Sequence, residues 1–223
     1  MREIVLDTET TGLDPSSGHK IVEIGCVELI NHMPTDNTFH AYINPERDMP
    51  EGAFAVHGLS EEFLSTHGVF AETADAFIAY IGDAPLIIHN ASFDMGFLNA
   101  ELSALNYPTL EKDRAIDTVP MARRLFPGAR VNLDALCQRF EIDNSDRTLH
   151  GALKDAWLLA GVYLELIGGR QPDLALKSNK QDATVQLDRA FREPRPHAAS
   201  PQELATHKKF LEQITDPLWK SEP

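Results

Sequence analysis

The sequence predicts an α/β domain built on a mixed sheet. Three strand-like runs stand close together near the start, as antiparallel neighbours do. After them, apolar runs alternate between helical and strand periodicity, as in a sheet layered by helices. A chain of 223 residues with 43% hydrophobic content can fill one core of ordinary size and still carry an appendage.

Residues 3–7 (EIVLD), 20–30 (KIVEIGCVELI) and 37–43 (NTFHAYI) read as strands, being rich in β-branched and aromatic residues, and TGLDPSSG makes the first turn. A helix follows at 72–82 (ETADAFIAYIG), then a short strand in PLIIH and a helix in SFDMGFLNAELSAL. The strand DRAID and helices at 132–140 and 152–167 complete residues 1–170, the expected folded domain, where Gly168 and Gly169 stop the last helix. Residues 177–200 are rich in Lys, Asn, Gln, Asp, Pro and Arg and read as a flexible linker. Beyond them Ser200 and Pro201 open a short helix over 201–216, with Leu204, Phe210, Leu211 and Ile214 partly in register. A helix with so little core of its own needs a partner to bury its apolar side.

The net charge of −14 excludes a protein that grips nucleic acid by a broad basic surface, because neutralising phosphates takes Lys and Arg. Residues 171–223 hold eight Lys/Arg and eight Asp/Glu, so the whole excess of acid sits on residues 1–170. Two cysteines, Cys26 and Cys137, both lie in apolar runs; they are too few for a disulfide framework and read as core thiols. No run approaches the ~20 apolar residues of a membrane span. Met1 leads directly into strand pattern without a charged-then-apolar leader, so the expectation is a cytoplasmic chain with no membrane partner.

The acids are placed unusually. Residues two apart in a strand share a face, so in IVLDTETTGLDP the carboxylates of Asp7 and Glu9 point the same way if the strand reaches them. Held near a core they repel, unless they are solvated at a surface strand end or a cation lies between them. Asp94 stands in the first turn of its helix on the stripe of Phe97, Leu98, Leu102 and Leu105, the side acids normally avoid. Taken alone it is also explained as an acid at a helix N-terminus. Asp155 repeats the pattern above Leu158, Leu159, Val162 and Leu166, with His150 five residues earlier. Where strand ends meet helix starts, four such carboxylates would carry about four negative charges, which two Mg²⁺ or Mn²⁺ ions would offset. Imidazole, with a reference pKa near ~6.5, is the side chain best suited to take a proton from water at neutral pH, which makes His150 a candidate base.

These residues resemble the motifs of the DEDD exonucleases, histidine subtype: Asp7-x-Glu9 in DTETTG, Asp94 in HNASFDMGFL, and His150 with Asp155 in H-x4-D. The flanking VHGLSEEFL (56–64) and NLDALC (132–137) match as well. The resemblance implies a ribonuclease H-like fold and removal of nucleotides from DNA 3′ ends, single-stranded or mispaired. It also implies that Asp7, Glu9 and Asp155 hold a first divalent ion and that Asp7 bridges to a second. Asp94 would support the second through water, and His150 would be the general base. Thr8 and Thr10 would meet the terminal nucleotide together with the three metal-site acids, and His57 would contact substrate. The family often has an acid five positions before that His; here the position is Gly52, beside Glu51.

Within the family the nearest likeness is to the branch that proofreads for bacterial DNA polymerase III. The segment QPDLAL, with Gln171, Leu174 and Leu176, looks like a sliding-clamp-binding peptide, read from an extended segment. The 201–216 helix resembles the piece that attaches to the catalytic (alpha) subunit of the polymerase. Two other readings share these motifs: a free-standing exonuclease acting on RNA or in repair, and a non-catalytic linker between clamp and polymerase. The metal-site residues alone do not separate DNA from RNA, which is decided at the 2′ position.

Overall fold

The computed structural model describes residues 1–145, 149–168 and 198–215. The chain divides into two compact units, Met1–Leu174 and Ala175–Pro223. Gln171, Leu174 and Leu176, and the linker as far as residue 197, lie outside the described residues.

In the first unit β1 (Arg2–Thr10), β2 (Ile21–Ile30) and β3 (Met33–Tyr42) form an antiparallel meander, and β4 (Leu86–Ile88) and β5 (Ala115–Asp117) add parallel strands on the other side of β1. Among the described residues the sheet order is β3-β2-β1-β4-β5. The mixed sheet with an antiparallel start is therefore as expected. Its first strand is longer than the EIVLD run, continuing through Glu9 to Thr10. The third begins at Met33 and not at residue 37, because Asn31 and His32 both adopt positive φ (52° and 67°) and make a two-residue turn whose twist suits a hairpin. Pro34 and Asp36 disguise that stretch in the sequence; an edge strand tolerates them.

Both faces of the sheet are covered. Ile4, Leu6, Ile24, Cys26, Leu86 and Ile88 pack against α3 (Phe70–Ile81) and α4 (Ala91–Ala104), chiefly through Phe77, Phe97, Leu98 and Leu102. Val5, Val27, Leu29 and Ile87 pack on the opposite side against α5 (Thr118–Leu125), α6 (Leu133–Arg139) and α7 (Ala152–Leu166). Burial on both faces is why the central strands read as unbroken apolar runs rather than alternating ones. Helix α7 reaches the sheet unusually closely at Gly25, where a Cβ would stand 2.1 Å from the Leu153 nitrogen. Only the absence of a side chain there lets the first turn of α7 rest on β2, across from Asp7. The cysteines are buried thiols, not joined in a disulfide.

Three helices were not expected: α1 (Glu51–His57), α2 (Glu61–Leu64) and α5. The first two are short, and Gly52 and Gly58 dilute the pattern; Gly58 closes α1 with φ 72°. Helix α5 carries Pro120 in its first turn, where its missing N–H is no loss, and is capped by Asp117, which accepts from Val119 N at 2.9 Å.

In the second unit α8 (Pro201–Leu211) has a capping box, with Ser200 Oγ accepting from Glu203 N and Glu203 Oε2 accepting from Ser200 N at 2.8 Å. It ends before the expected residue 216, and Leu204 and Phe210 are exposed. Among the described residues no helix is long and apolar enough to cross a membrane.

Candidate active site

The C-terminal end of β1 supplies two walls of the site at once. Asp7 and Glu9 share the Val5 side of the strand, toward α7, and pair across to Gly25 and Glu23. Thr8 points to the opposite side and binds α4: its N–H and its Oγ1 both donate to Asp94 Oδ1, at 3.1 and 2.7 Å. Asp94 and Asp155, each in the first turn of its helix and each only 3% exposed, thus arrive from opposite layers at the same strand end. Asp7 and Glu9 do share a face, because β1 runs past them.

His150 stands just before Gly151, the N-cap of α7. Its backbone N–H donates to Val56 O at 3.1 Å, tying it to α1, and its Nδ1 lies 3.3 Å from Asp155 Oδ2. Candidate ligand atoms of Glu9, His150 and Asp155 all fall within 4.8 Å of one another. A cavity of about 260 Å³ gathers all five acid and histidine positions, Asp7, Glu9, Asp94, His150 and Asp155. Next to it a larger cleft of about 580 Å³ shares Thr8, Glu9 and Phe93 and runs between the Thr10–Leu13 segment and α1.

Burial dominates the electrostatics here. Loss of solvent pushes the Asp94 carboxyl up to about 7 although the two Thr8 hydrogen bonds oppose it, and Asp117 adds a smaller upward push. An acid that strains toward protonation at neutral pH is one that a cation would relieve. The donors are oxygen-rich, which suits a hard divalent ion. Among the described residues lining the two cavities there is no Lys or Arg to answer a phosphate's charge. The residues present therefore fit a divalent metal.

The expected substrate contacts divide. Thr8 and Thr10 line the cleft, but their hydroxyls are engaged within the protein, Thr8 on Asp94 and Thr10 on Gly12 O at 2.6 Å. Gly52 and His57 line the opposite wall. His57 is buried, its Nδ1 accepts from Leu59 N at 3.0 Å, and the proton therefore sits on Nε2, a buried atom without a well-formed hydrogen bond. Burial lowers its pKa, which keeps the ring neutral. Phe93 is half-buried, packs on Phe97 at 5.0 Å and lines both cavities, so it serves the core and the cleft together.

The sequence reading assigned no site role to His89, or to Asn132 and Asp134 of the NLDALC flank, yet all three line the smaller cavity. Asn132 caps α6 through Ala135 N, and Asp134 accepts from Asn144 Nδ2 at 3.2 Å. In sequence they resemble any polar pair opening a helix. His89 Nδ1 lies 2.8 Å from Thr118 Oγ1, and Asp117 accepts from the N–H groups of Asn90 and Ala91. This clasp fixes the start of α4 from the end of β5, a contact between distant segments with no local signature.

A family model described as Exonuclease, RNase T, matches residues 4–163. DNA polymerase III subunit epsilon of Rickettsia felis is 51% identical over 222 residues, covering 96% of this chain and 97% of the relative. The subunit of the same name from Escherichia coli K12 is 44% identical over 227 residues, with 96% and 93% covered. The chain belongs to the DNA polymerase III epsilon family of exonucleases. Solved structures agree on the fold: the nuclease domain of 3′hExo, a DEDDh family member, aligns with TM-score 0.64 at 17% identity over 74% of this chain and 91% of that one. Exonuclease X in complex with 5′ overhanging duplex DNA aligns with TM-score 0.58 at 25% identity over 74% and 90%. Membership of the epsilon family makes the chain a 3′→5′ exonuclease whose fold implies divalent metal ions, as the resemblance to the DEDD exonucleases led us to expect.

Proposed function

We propose that the chain is the proofreading subunit of a replicative DNA polymerase III, hydrolysing the 3′-terminal phosphodiester of mispaired or single-stranded DNA and releasing nucleoside 5′-monophosphates. The observation that carries the reading is the convergence of Asp94 from one layer, and of Asp155 and His150 from the other, on the strand end that holds Asp7 and Glu9. Asp7, Glu9, Asp94 and Asp155 would hold two Mg²⁺ or Mn²⁺ ions. When bound, such ions sharpen a water as nucleophile and offset charge on the leaving oxygen.

The chain's own groups do the rest. Thr8 fixes Asp94 through two hydrogen bonds to one oxygen, leaving the carboxylate a single orientation. The imidazole of His150 takes the proton of the attacking water, and the Asp155 carboxylate 3.3 Å from its Nδ1 stabilises the imidazolium. With its side chain 45% exposed, His150 then returns the proton to solvent. Water oxygen bonds to phosphorus, the P–O3′ bond breaks, and the O3′ left on the shortened strand is protonated. The cleft beside Thr8, Thr10, Gly52 and His57 receives the terminal nucleotide.

An acidic enzyme that holds a few nucleotides this way depends on partners for longer-range affinity. The clamp would be met through Gln171, Leu174 and Leu176, and the alpha subunit through α8, whose Leu204 and Phe210 are exposed. A cytoplasmic location follows from that role. Asp7→Ala and Asp155→Ala should each abolish metal-dependent shortening of a 5′-labelled strand; full activity in either variant refutes the site. Deleting residues 177–223 should abolish capture of the polymerase subunit while leaving the nuclease active.

A further inference from the structure

The segment between β1 and β2 forms one wall of the cleft, and its shape is set by a side chain that the reaction does not use. Thr11 N donates to Lys20 O at 2.9 Å and Lys20 N donates to Thr11 Oγ1 at 3.0 Å, closing the segment into a loop. Inside it the His19 ring lies flat under Gly12. A Cβ on Gly12 would stand 2.3 Å from His19 Cε1 and 2.4 Å from Nδ1, far inside contact distance. The ring is held there by Thr11 Oγ1, 3.2 Å from His19 Nδ1. Since Thr10 Oγ1 also donates to Gly12 O, the ring, Gly12 and Thr10 are stacked in one continuous support. That support ends at Glu9 and at Leu13, whose side chain is exposed on the cleft wall.

We infer that His19 is a positioning residue of the exonuclease reaction: its ring fills the space left by Gly12 and so sets the Thr10–Leu13 wall against which the terminal nucleotide lies. The inference rests on the reading that this cleft takes the terminal nucleotide. It also explains the glycine of the TTG run, whose need is for room beneath the backbone, at a position where no unusual φ is involved.

The test uses the full chain with His19→Ala, Gly12→Ala, the double variant, His19→Asn and, on the opposite wall, His57→Ala. Steady-state kinetics on a short 5′-labelled single strand are read beside inhibition by dTMP. His19→Ala should raise KM and the dTMP inhibition constant about tenfold with kcat within about threefold, since the wall loosens while the carboxylates stay put. Gly12→Ala should lose about 10²-fold in kcat/KM, because the new methyl displaces the ring and the wall together. The double variant should regain at least about tenfold over Gly12→Ala, a coupling expected of groups in direct contact. His19→Asn, whose Oδ1 can take the place of Nδ1 beside Thr11, should recover part of the His19→Ala defect. A double variant as poor as the product of its singles overturns the inference. If Gly12→Ala fails to fold, the KM-against-kcat split of His19→Ala and His19→Asn decides it, and unchanged values overturn it. Weakened dTMP binding in His57→Ala but not in His19→Ala sinks the positioning role alone. Unchanged dTMP binding in both sinks the reading of the cleft.

Discussion

Replacing Asp94 by Asn should make the metal-free protein more stable at alkaline pH while destroying its activity. Burial raises the Asp94 carboxyl from 3.8 to about 7. Below pH 3.8 the group is protonated in both folded and unfolded chains and contributes nothing to the pH dependence. Between there and pH 7 the folded chain holds a proton that the unfolded chain has lost, so folding becomes less favourable as pH rises. At about 1.4 kcal/mol per unit over roughly three units, the accumulated cost is on the order of 4 kcal/mol, and it stays constant above pH 7. Asn keeps an oxygen for the two Thr8 donors and does not titrate. Urea denaturation in EDTA at pH 4.5 and pH 8 should show the advantage of Asp94→Asn over wild type growing by about 3 kcal/mol between them. Any fixed cost of burying the amide cancels in that difference. Adding Mg²⁺ or Mn²⁺ at pH 8 should stabilise wild type and narrow the gap. A difference that does not change with pH refutes the buried, strained carboxyl.

Three further outcomes follow from the geometry. Gly25→Ala should lower stability by about 1–3 kcal/mol and cost more than tenfold in activity, since the methyl lifts the first turn of α7 and with it Asp155; melting curves and nuclease rates check both. His150→Ala should reduce kcat by about 10²–10⁴-fold in a nuclease assay, while a wild-type kcat in that variant denies it the role of base. Ser200→Ala should remove the capping box of α8 at about 1 kcal/mol, lowering helicity of that segment and weakening capture of the polymerase subunit, measurable by circular dichroism and pull-down.

Much of the site was legible because its parts are local. Asp94 and Asp155 betray themselves as acids on apolar helix stripes, and the Asp7-x-Glu9 pair fixes its own face once the strand is granted. The α1 and α2 helices were not read because they are too short for periodicity to emerge, and the first residues of β3, 33–36, because its Pro and Asp are allowed only at an edge. Thr8 was legible as a site residue but not in its use: the sequence places it beside the acids, whereas its hydroxyl and N–H are both turned to Asp94, 86 residues away.

By itself, then, the sequence determines which residues are acids, which elements carry them and which sides of those elements face inward, since periodicity and charge act over a few residues. Tertiary structure decides where those elements cross. Gly25 admits α7 to the sheet, Asp117 clasps the start of α4, and His150 is tied to Val56, each a contact between segments far apart in the chain. Mutual repulsion of four carboxylates opposes their meeting, and only burial of the two core layers on either side of β1 supplies the free energy that holds them together.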